Sequence, residues 1–116
     1  MPRPPKCRKV CRLPHINEFR PRGTRSSSYI FLTVDEYEAI RLIDKEGFSQ
    51  EECGEYMKIA RTTVQQIYTS ARKKIATSLV EGLPLRIEGG DYQLCSGEEM
   101  NCNCGGCKKH RKNCGE

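Results

Sequence analysis

Two helix-start patterns stand close together in the middle of this chain, and they limit that region to short helices. Thr33 with Glu36 and Ser49 with Glu52 each fit a capping box, in which a hydroxyl and a carboxylate satisfy the first free amide groups of a helix. Gly47 lies between the two patterns and is placed to close the first helix. The sequence therefore predicts one helix after Thr33 and a second one directly after Ser49.

A third, longer helix is predicted after a very short connection. The second helix spans about residues 50–57, residues 58–60 form the connection, and apolar side chains recur at helical spacing across residues 61–80. The inward stripe of this third helix consists of Val64, Ile67, Tyr68, Ala71, Ile75 and Leu79. Three helices with a short second member and a tight second turn predict a mainly α fold of the helix-turn-helix type.

The segments around this helical domain, residues 29–82, have different compositions. Residues 1–28 contain five of the six prolines and no helical period, which predicts an irregular basic arm. In residues 83–94, Leu85–Ile87 and Tyr92–Leu94 flank a glycine-rich turn, which predicts a small β-hairpin. Residues 95–116 form a cysteine-rich tail with almost nothing to bury. Cys53, in the second helix, is predicted to lie in the core as a small hydrophobic residue.

The charged residues form blocks of opposite sign. Residues 1–25 hold eight basic residues and one acidic residue, whereas residues 26–57 hold eight acidic residues and two basic ones. Residues 58–77 hold five basic residues and no acidic one. A basic arm, an acidic scaffold and a basic third helix suit a protein that binds a polyanion. Charge alone leaves open the alternative that the basic stretches simply face solvent.

The outward face of the third helix is polar and free of acidic residues. Gln can pair with adenine, Thr can contact a thymine methyl group, and Lys can reach guanine or phosphate. We therefore expect this face to contact double-stranded DNA, with an ordinary solvated helix face as the alternative. The expected contacts on the helix are Arg61, Thr62, Thr63, Gln65, Gln66, Thr69, Arg72 and Lys73. In the arm, Arg3, Lys6 and Arg8 are candidates for contact with phosphates or the minor groove.

The order of these motifs resembles two known families. The segment SQEECGEYMKIARTTVQQIYTSARKKIATSL, residues 49–79, is similar to the promoter-binding helix-turn-helix of sigma factors, their fourth conserved region. More closely, MPRPPKCRKVCRLP, LTVDEYEAIRLIDKEGFSQEEC, RTTVQQIYTSARKKIA and PLRIEGG together resemble a family of small, largely uncharacterised prokaryotic proteins predicted to bind DNA. The resemblance covers roughly residues 1–90. It implies a sigma-like helix-turn-helix fold and a DNA-binding role.

The connection before the third helix departs from the usual pattern of such turns. Lys58 stands where a glycine is common, and we expect it to adopt the left-handed conformation. Ala60 cannot cap the third helix, which costs about 1 kcal/mol. The alternative is that Thr62, with Gln65 three residues later, takes over the cap and moves the helix start by about two residues.

The cysteines near the two ends are candidate metal ligands. The tail contains a CxC-x2-C core with further ligands on both sides, and such thiolates suit Zn²⁺ or an iron–sulfur cluster. The tail candidates are Cys95, Cys102, Cys104, Cys107, His110 and Cys114. Cys7 and Cys11, followed by His15, form a second candidate set, which either completes a site with the tail or lies in the arm without binding metal. A thiol-rich tail that binds metal only weakly is the alternative for the tail.

These features together predict a sequence-specific, DNA-binding transcriptional regulator, metal- or redox-responsive through its cysteines. The alternative is a metal- or redox-responsive adapter that contacts transcription proteins such as RNA polymerase without touching DNA. A homodimer is a further candidate assembly. We expect no enzyme, since no nucleophile–base pair or phosphate-binding glycine loop stands out. No apolar run approaches the roughly 18 residues of a membrane span, and the N-terminus lacks a signal-peptide core, so we expect a cytoplasmic protein.

Overall fold

The computed structural model describes residues 8–23 and 27–94. Within these ranges three helices lie among five short strands. In chain order the elements are β1 (Arg8–Val10), β2 (Glu18–Phe19), β3 (Ile30–Leu32), α1 (Val34–Ile40) with a π-helical continuation (Arg41–Lys45), α2 (Gln50–Met57), α3 (Arg61–Glu81), β4 (Leu85–Ile87) and β5 (Tyr92–Leu94). The prediction of a small helical domain is confirmed in its coarse form, since about half of the described residues are helical. No helix of the described residues is long and apolar enough to cross a membrane.

Both predicted capping boxes are present. The Thr33 amide donates to Oε1 of Glu36 at 2.9 Å, and the Glu36 amide donates back to Oγ1 of Thr33 at 3.4 Å. At the start of α2, the Ser49 amide donates to Oε1 of Glu52 at 2.8 Å, and the Glu52 amide donates to Oγ of Ser49 at 3.0 Å. Each pair satisfies two amide groups that would otherwise lack a partner, so helices α1 and α2 begin where the sequence predicts.

A buried ion pair stabilises the π-helical continuation of α1. Glu38 is fully buried and accepts two hydrogen bonds from Arg41, from Nε at 2.9 Å and from Nη2 at 2.8 Å. Its Oε2 atom also accepts the amide of Cys11 at 3.0 Å. Burial alone would lower the pKa of Arg41, but the bonds to Glu38 outweigh burial and raise that pKa. Because its charge is matched and hydrogen-bonded, the Glu38 carboxylate can remain inside the core.

The core has two parts that meet along α3. The first lies between the helices and the end of β1, and the second lies between α1, α3 and the strands. The buried side chains of the first part are Cys11, Ala39, Leu42, Cys53, Tyr56, Met57, Val64 and Ile67. Those of the second part are Val10, Leu32, Val34, Ala71, Leu85 and Ile87. The prediction that Cys53 lies in the core is confirmed.

The predicted β-hairpin is wrong, although both of its strands exist. Strand β4 lies at the centre of a three-stranded sheet, antiparallel to β2 and parallel to β3, whereas β5 pairs in parallel with β1. Two contacts with α1 separate β4 from β5. The Gly89 carbonyl accepts the amide of Val34 at 2.9 Å, and Gly90 lies so close to Asp35 that a Cβ atom there would collide with Oδ1 of Asp35. The turn residues therefore pack on α1 instead of folding β5 back onto β4.

The prediction that residues 1–28 form an irregular arm is wrong for two short strands of the described part, β1 and β2. Strand β1 carries Val10 into the core, and Cys11 follows directly after the strand; both residues are almost fully buried. Lys9 is buried too, with its ammonium group 4.3 Å from the centroid of the Tyr56 ring. Two of the three residues of this strand, Arg8 and Lys9, are basic, which makes a buried strand look like a solvated basic segment.

The connection between α2 and α3 agrees with one expectation and corrects another. Lys58 is left-handed, with φ of 62° and ψ of 44°, as predicted. The helix α3 begins at Arg61 with Ala60 at the N-cap position, so the alternative cap by Thr62 is wrong. The Gly54 carbonyl accepts the amides of both Lys58 and Ile59, the latter at 3.0 Å. This double acceptance ends α2 and turns the chain within three residues.

The apolar stripe of α3 is only partly buried. Val64, Ile67 and Ala71 are buried as predicted, but Leu79 is 78% exposed, so its assignment to the core is wrong. Tyr68 is half-buried, and its hydroxyl reaches a polar partner outside the core. The helix is longer than the core that it crosses, and its last turns extend beyond the layer of helices and strands.

Candidate nucleic-acid interface

The first four turns of α3 present a polar surface without acidic residues. The acidic residue of this helix is Glu81, at its last position. The expected contact residues lie mostly at exposed positions, and Thr63 is half-buried. The exposed members, which we call the α3 face, are Arg61, Thr62, Gln65, Gln66, Thr69, Arg72 and Lys73. The structure thus places these predicted residues on the exposed side of one long helix, whose other side packs on the core.

The start of α3 favours anions. Within the described part of the chain, no side chain caps its first turn, where Ala60 occupies the N-cap position. The first amide groups of a helix point outward and carry the positive end of the helix dipole. The first turn also contains Arg61 and no acidic residue. The amino-terminal end of the α3 face therefore combines a side-chain charge and a backbone dipole of the same positive sign.

Glu36 removes two polar side chains of α3 from this surface. Oγ of Ser70 donates to Oε2 of Glu36 at 2.7 Å, and Nζ of Lys74 lies 2.8 Å from Oε1. Burial alone would raise the pKa of Glu36, but the hydrogen bonds from Lys74, Ser70 and the Thr33 amide outweigh burial and lower that pKa. With one carboxylate, Glu36 thus caps α1 and connects α1 to α3. Lys74 is engaged in this connection and is not part of the α3 face.

Arg72 lies beside two partners that the sequence patterns did not indicate. Its Nη1 atom donates to the Tyr68 hydroxyl at 3.2 Å, and its guanidinium carbon lies 5.4 Å from the centroid of the Tyr68 ring. The Tyr68 hydroxyl in turn donates to Oδ1 of Asp44 at 2.8 Å. Desolvation and this bond to a carboxylate raise the pKa of Tyr68, so the hydroxyl keeps its proton at neutral pH.

The neighbouring helix α2 carries the opposite charge. Glu51, Glu52 and Glu55 are exposed on α2, and Glu52 is engaged in the capping box with Ser49. A polyanion would be repelled by these glutamates and attracted by the start of α3. The boundary between the two charge signs lies at the connection, residues 58–60.

Of the three candidate contacts in the arm, the structure describes Arg8. Arg8 does not reach outward, because its Nη1 atom is 2.7 Å from Oδ2 of the buried Asp35. This ion pair joins β1 to the first turn of α1. Arg3 and Lys6 lie outside the described residues, and their predicted contacts stay predictions.

The predicted metal sites lie almost wholly outside the described residues. This holds for Cys7, Cys95, Cys102, Cys104, Cys107, His110 and Cys114. Cys11 is described and is buried in the core. Across residues 8–23 and 27–94, no group of three or more His, Cys, Asp or Glu side chains is placed to hold a metal ion. Zinc or iron–sulfur binding by the tail therefore stays a prediction.

The sequence patterns missed three contacts that matter for this surface. Gly54 packs on the connection and the start of α3, Glu36 bonds to Lys74, and Asp44 accepts the Tyr68 hydroxyl. The capping box indicated Glu36 but not its bond to α3. Gly54 also left a signal, since an isolated glycine inside a helical pattern usually has a packing reason.

Comparison with known proteins shows clear relatives. The family model described as "Protein of unknown function DUF134" matches residues 1–95. A UPF0251 protein of Desulfitobacterium hafniense strain Y51 is 56% identical over 118 residues, covering 99% of this chain and 93% of the relative. A UPF0251 protein of Thermoanaerobacter pseudethanolicus is 51% identical over 96 residues, covering 81% of each chain. A third, of Caldanaerobacter subterraneus subsp. tengcongensis, is 49% identical over 113 residues, covering 96% of this chain and 93% of the relative. No solved structure matches the chain.

Proposed function

The chain belongs to the family of proteins of unknown function DUF134, and we propose that it is a sequence-specific DNA-binding regulator of the helix-turn-helix type. The unit consists of α2 as the supporting helix, residues 58–60 as the turn, and the first four turns of α3 as the recognition helix. The observation that carries the proposal is the acid-free α3 face, directly after a short helix and a three-residue turn.

The geometry of the turn supports this proposal. An eight-residue α2 ends in a left-handed residue, Lys58, and α3 begins at Arg61. Gly54 permits close approach, because its own position faces the Ile59 carbonyl and the Val64 side chain. Helix-turn-helix units need such a short turn, since the first helix must brace the second without entering the groove.

The charge pattern supports DNA as the ligand. Protein affinity for DNA depends strongly on Lys and Arg groups that neutralise phosphates, and an acidic group in the groove would oppose binding. We assign Arg61 and Lys73 to phosphate contacts, because they carry the exposed cations near the two ends of the α3 face. We assign Gln65, Gln66 and Thr69 to base edges, since their side chains suit adenine and thymine.

Selection of preferred sites tests the proposal. The reduced full-length protein is incubated with a randomised duplex library, and bound sequences are recovered and compared with the input. The proposal predicts a short preferred motif. Gln66→Ala should then weaken binding to the preferred duplex by about ten-fold and leave binding to random duplex nearly unchanged.

A matched glutamine serves as the control. Gln93 is exposed on β5, outside the α3 face, and Gln93→Ala should change neither preferred nor random binding. Equal losses on both duplexes for Gln66→Ala would remove Gln66 from base recognition. Failure of the wild-type protein to bind any duplex at low salt would contradict the proposed function.

A further inference from the structure

A chain of polar contacts joins the π-helical turn after α1 to the outer flank of α3. Asp44 accepts the Tyr68 hydroxyl at 2.8 Å, and that hydroxyl accepts a hydrogen bond from Nη1 of Arg72 at 3.2 Å. Nε of Arg72 lies 4.0 Å from Oδ2 of Asp44, so the guanidinium faces the carboxylate as well. Two side chains, Asp44 from the π-helical turn and Tyr68 from α3, thus hold Arg72 in one orientation.

The contacts of Arg72 start from a turn that is anchored in the core. Asp44 belongs to the π-helical turn Arg41–Lys45, where Arg41 is locked to the fully buried Glu38. Tyr68 lies one helical turn before Arg72, and its ring supports the guanidinium from below at 5.4 Å. An exposed arginine normally loses much rotational freedom when it binds, and a preorganised arginine loses less.

The nearby carboxylate determines which DNA group suits Arg72. The side chain of Arg72 is 63% exposed and that of Asp44 is 40% exposed, so both charges meet an incoming ligand. A phosphate approaching the guanidinium also approaches the Asp44 carboxylate, and the two anions repel each other. The major-groove edge of guanine carries two hydrogen-bond acceptors and no net charge, so Asp44 imposes no comparable penalty on it.

We propose that Asp44 and Tyr68 are positioning residues that hold Arg72 to recognise a guanine in the major groove instead of a phosphate. This inference rests on the proposed function, because it requires α3 to enter the groove. Within that function it assigns to Arg72 a role in specificity, and it separates Arg72 from Lys73, which binds phosphate.

The test compares variants on duplexes selected by the wild-type protein. The selected motif should contain a guanine at which Arg72→Ala loses about ten-fold in discrimination against other bases. Replacing that guanine with 7-deazaguanine, which lacks the N7 acceptor, should weaken the wild type and leave Arg72→Ala unaffected. Arg72→Lys keeps the charge but lacks the planar fork, so it should lose part of the discrimination that Arg72→Ala loses.

Substitutions of Asp44 and Tyr68 test the positioning role separately. Asp44→Asn should reduce discrimination at this guanine, raise affinity for random duplex, and steepen the salt dependence, because Arg72 can then bind a phosphate. Tyr68→Phe keeps the ring but removes the hydroxyl, and should also reduce discrimination. Asp91→Asn, at an exposed acid before β5, should change none of these quantities. Thermal unfolding midpoints of the variants are compared with wild type, so that a loss of fold is not taken for a loss of recognition.

Failure of this inference can be distinguished from failure of the proposed function. If the wild type selects a motif but Arg72→Ala weakens all duplexes equally and lowers the salt slope by about one, Arg72 binds phosphate and this inference is overturned while DNA binding stands. If Asp44→Asn and Tyr68→Phe leave discrimination intact, the positioning role is overturned. If the wild type binds no duplex, the proposed function and this inference fail together.

Discussion

A Cβ atom on Gly54 would lie 2.8 Å from the carbonyl oxygen of Ile59. The Ile59 amide donates to the Gly54 carbonyl at 3.0 Å, so the two backbones are in contact in both directions. The same Cβ atom would be 3.4 Å from Cγ2 of Val64 in the first turn of α3. The distance between α2 and the start of α3 therefore depends on the absence of a side chain at residue 54.

Substitution of Gly54 tests this contact. In an ordinary helix interior, Gly→Ala stabilises by about 1 kcal/mol because alanine restricts the unfolded chain. Here we expect Gly54→Ala to lower the free energy of unfolding by about 1–3 kcal/mol, because the methyl group meets a backbone oxygen that cannot move cheaply. Denaturant unfolding followed by circular dichroism measures the change. Glu55→Ala, at the exposed neighbouring position, is the control, and a stabilising effect of Gly54→Ala would contradict the close approach.

The Glu36 carboxylate is expected to make stability pH-dependent. Its hydrogen bonds lower its pKa in the folded state, so its contribution is fully present above the ordinary value of 4.5 and is lost as pH falls through the folded value. Glu36→Gln should destabilise the protein by about 1–3 kcal/mol at neutral pH, and the difference from wild type should shrink below pH 4.5. Unfolding curves across a pH series measure it.

Glu52 provides the matched control for Glu36. Both residues complete capping boxes, but Glu52 is exposed. We therefore expect Glu52→Gln to cost only a few tenths of a kcal/mol, about the value of an exposed cap contact. Equal effects of the two substitutions would show that the bonds from Lys74 and Ser70 to Glu36 contribute nothing measurable.

Ala60 allows stability and DNA affinity to be separated. Its backbone is extended, with φ of −69° and ψ of 152°, which suits a capping side chain. Ala60→Ser and Ala60→Asp should each raise the free energy of unfolding by about 1 kcal/mol. Under the proposed function, Ala60→Asp also places a negative charge at the start of α3 and should weaken DNA binding, whereas Ala60→Ser should not. Anisotropy on one duplex compares them, and equal affinities would argue against an anion near this end of α3.

Cys53 is expected to resist alkylation in the folded protein. Burial, together with the nearby Glu38 carboxylate, raises the pKa of the Cys53 thiol to about 12, and the thiolate is the reactive form. Iodoacetamide at mildly alkaline pH should leave Cys53 and the buried Cys11 unmodified, and both should react fully in guanidinium chloride. Peptide mass spectrometry identifies the modified residues. Fast labelling of Cys53 under native conditions would contradict its place in the core.

The sequence predicted the elements that local chemistry determines. Thr33 with Glu36 and Ser49 with Glu52 are contacts within single helical turns, so their spacing alone locates the helix starts. The left-handed conformation of Lys58 was predicted because Lys58 stands where turns of this type commonly carry a glycine. The exposed side of α3 followed from helical periodicity, because Val64, Ile67 and Ala71 define the buried side.

Contacts between distant segments escaped prediction. Val10 is buried because it packs in the core with distant residues such as Leu32 and Ala71, and nothing near Val10 indicates these partners. Leu79 looks buried by periodicity, but the core ends before it. At the candidate interface, periodicity places Arg72 outward, whereas its support by Asp44 depends on how α1 packs against α3. Contacts of this kind, between residues far apart in the sequence, can be recognised only in the three-dimensional structure.

The most direct test of the central claim is fluorescence anisotropy of the reduced full-length protein on a random duplex across a series of salt concentrations. The account predicts binding with a Kd on the order of micromolar or tighter at low salt, which weakens steeply as salt rises. Lys73→Ala should lower the slope of log K against log salt by about one, whereas Lys45→Ala, at a lysine that is 75% exposed beside Glu46, should leave it unchanged. Absence of binding at low salt, or binding that does not respond to salt, would contradict the assignment of the α3 face to DNA.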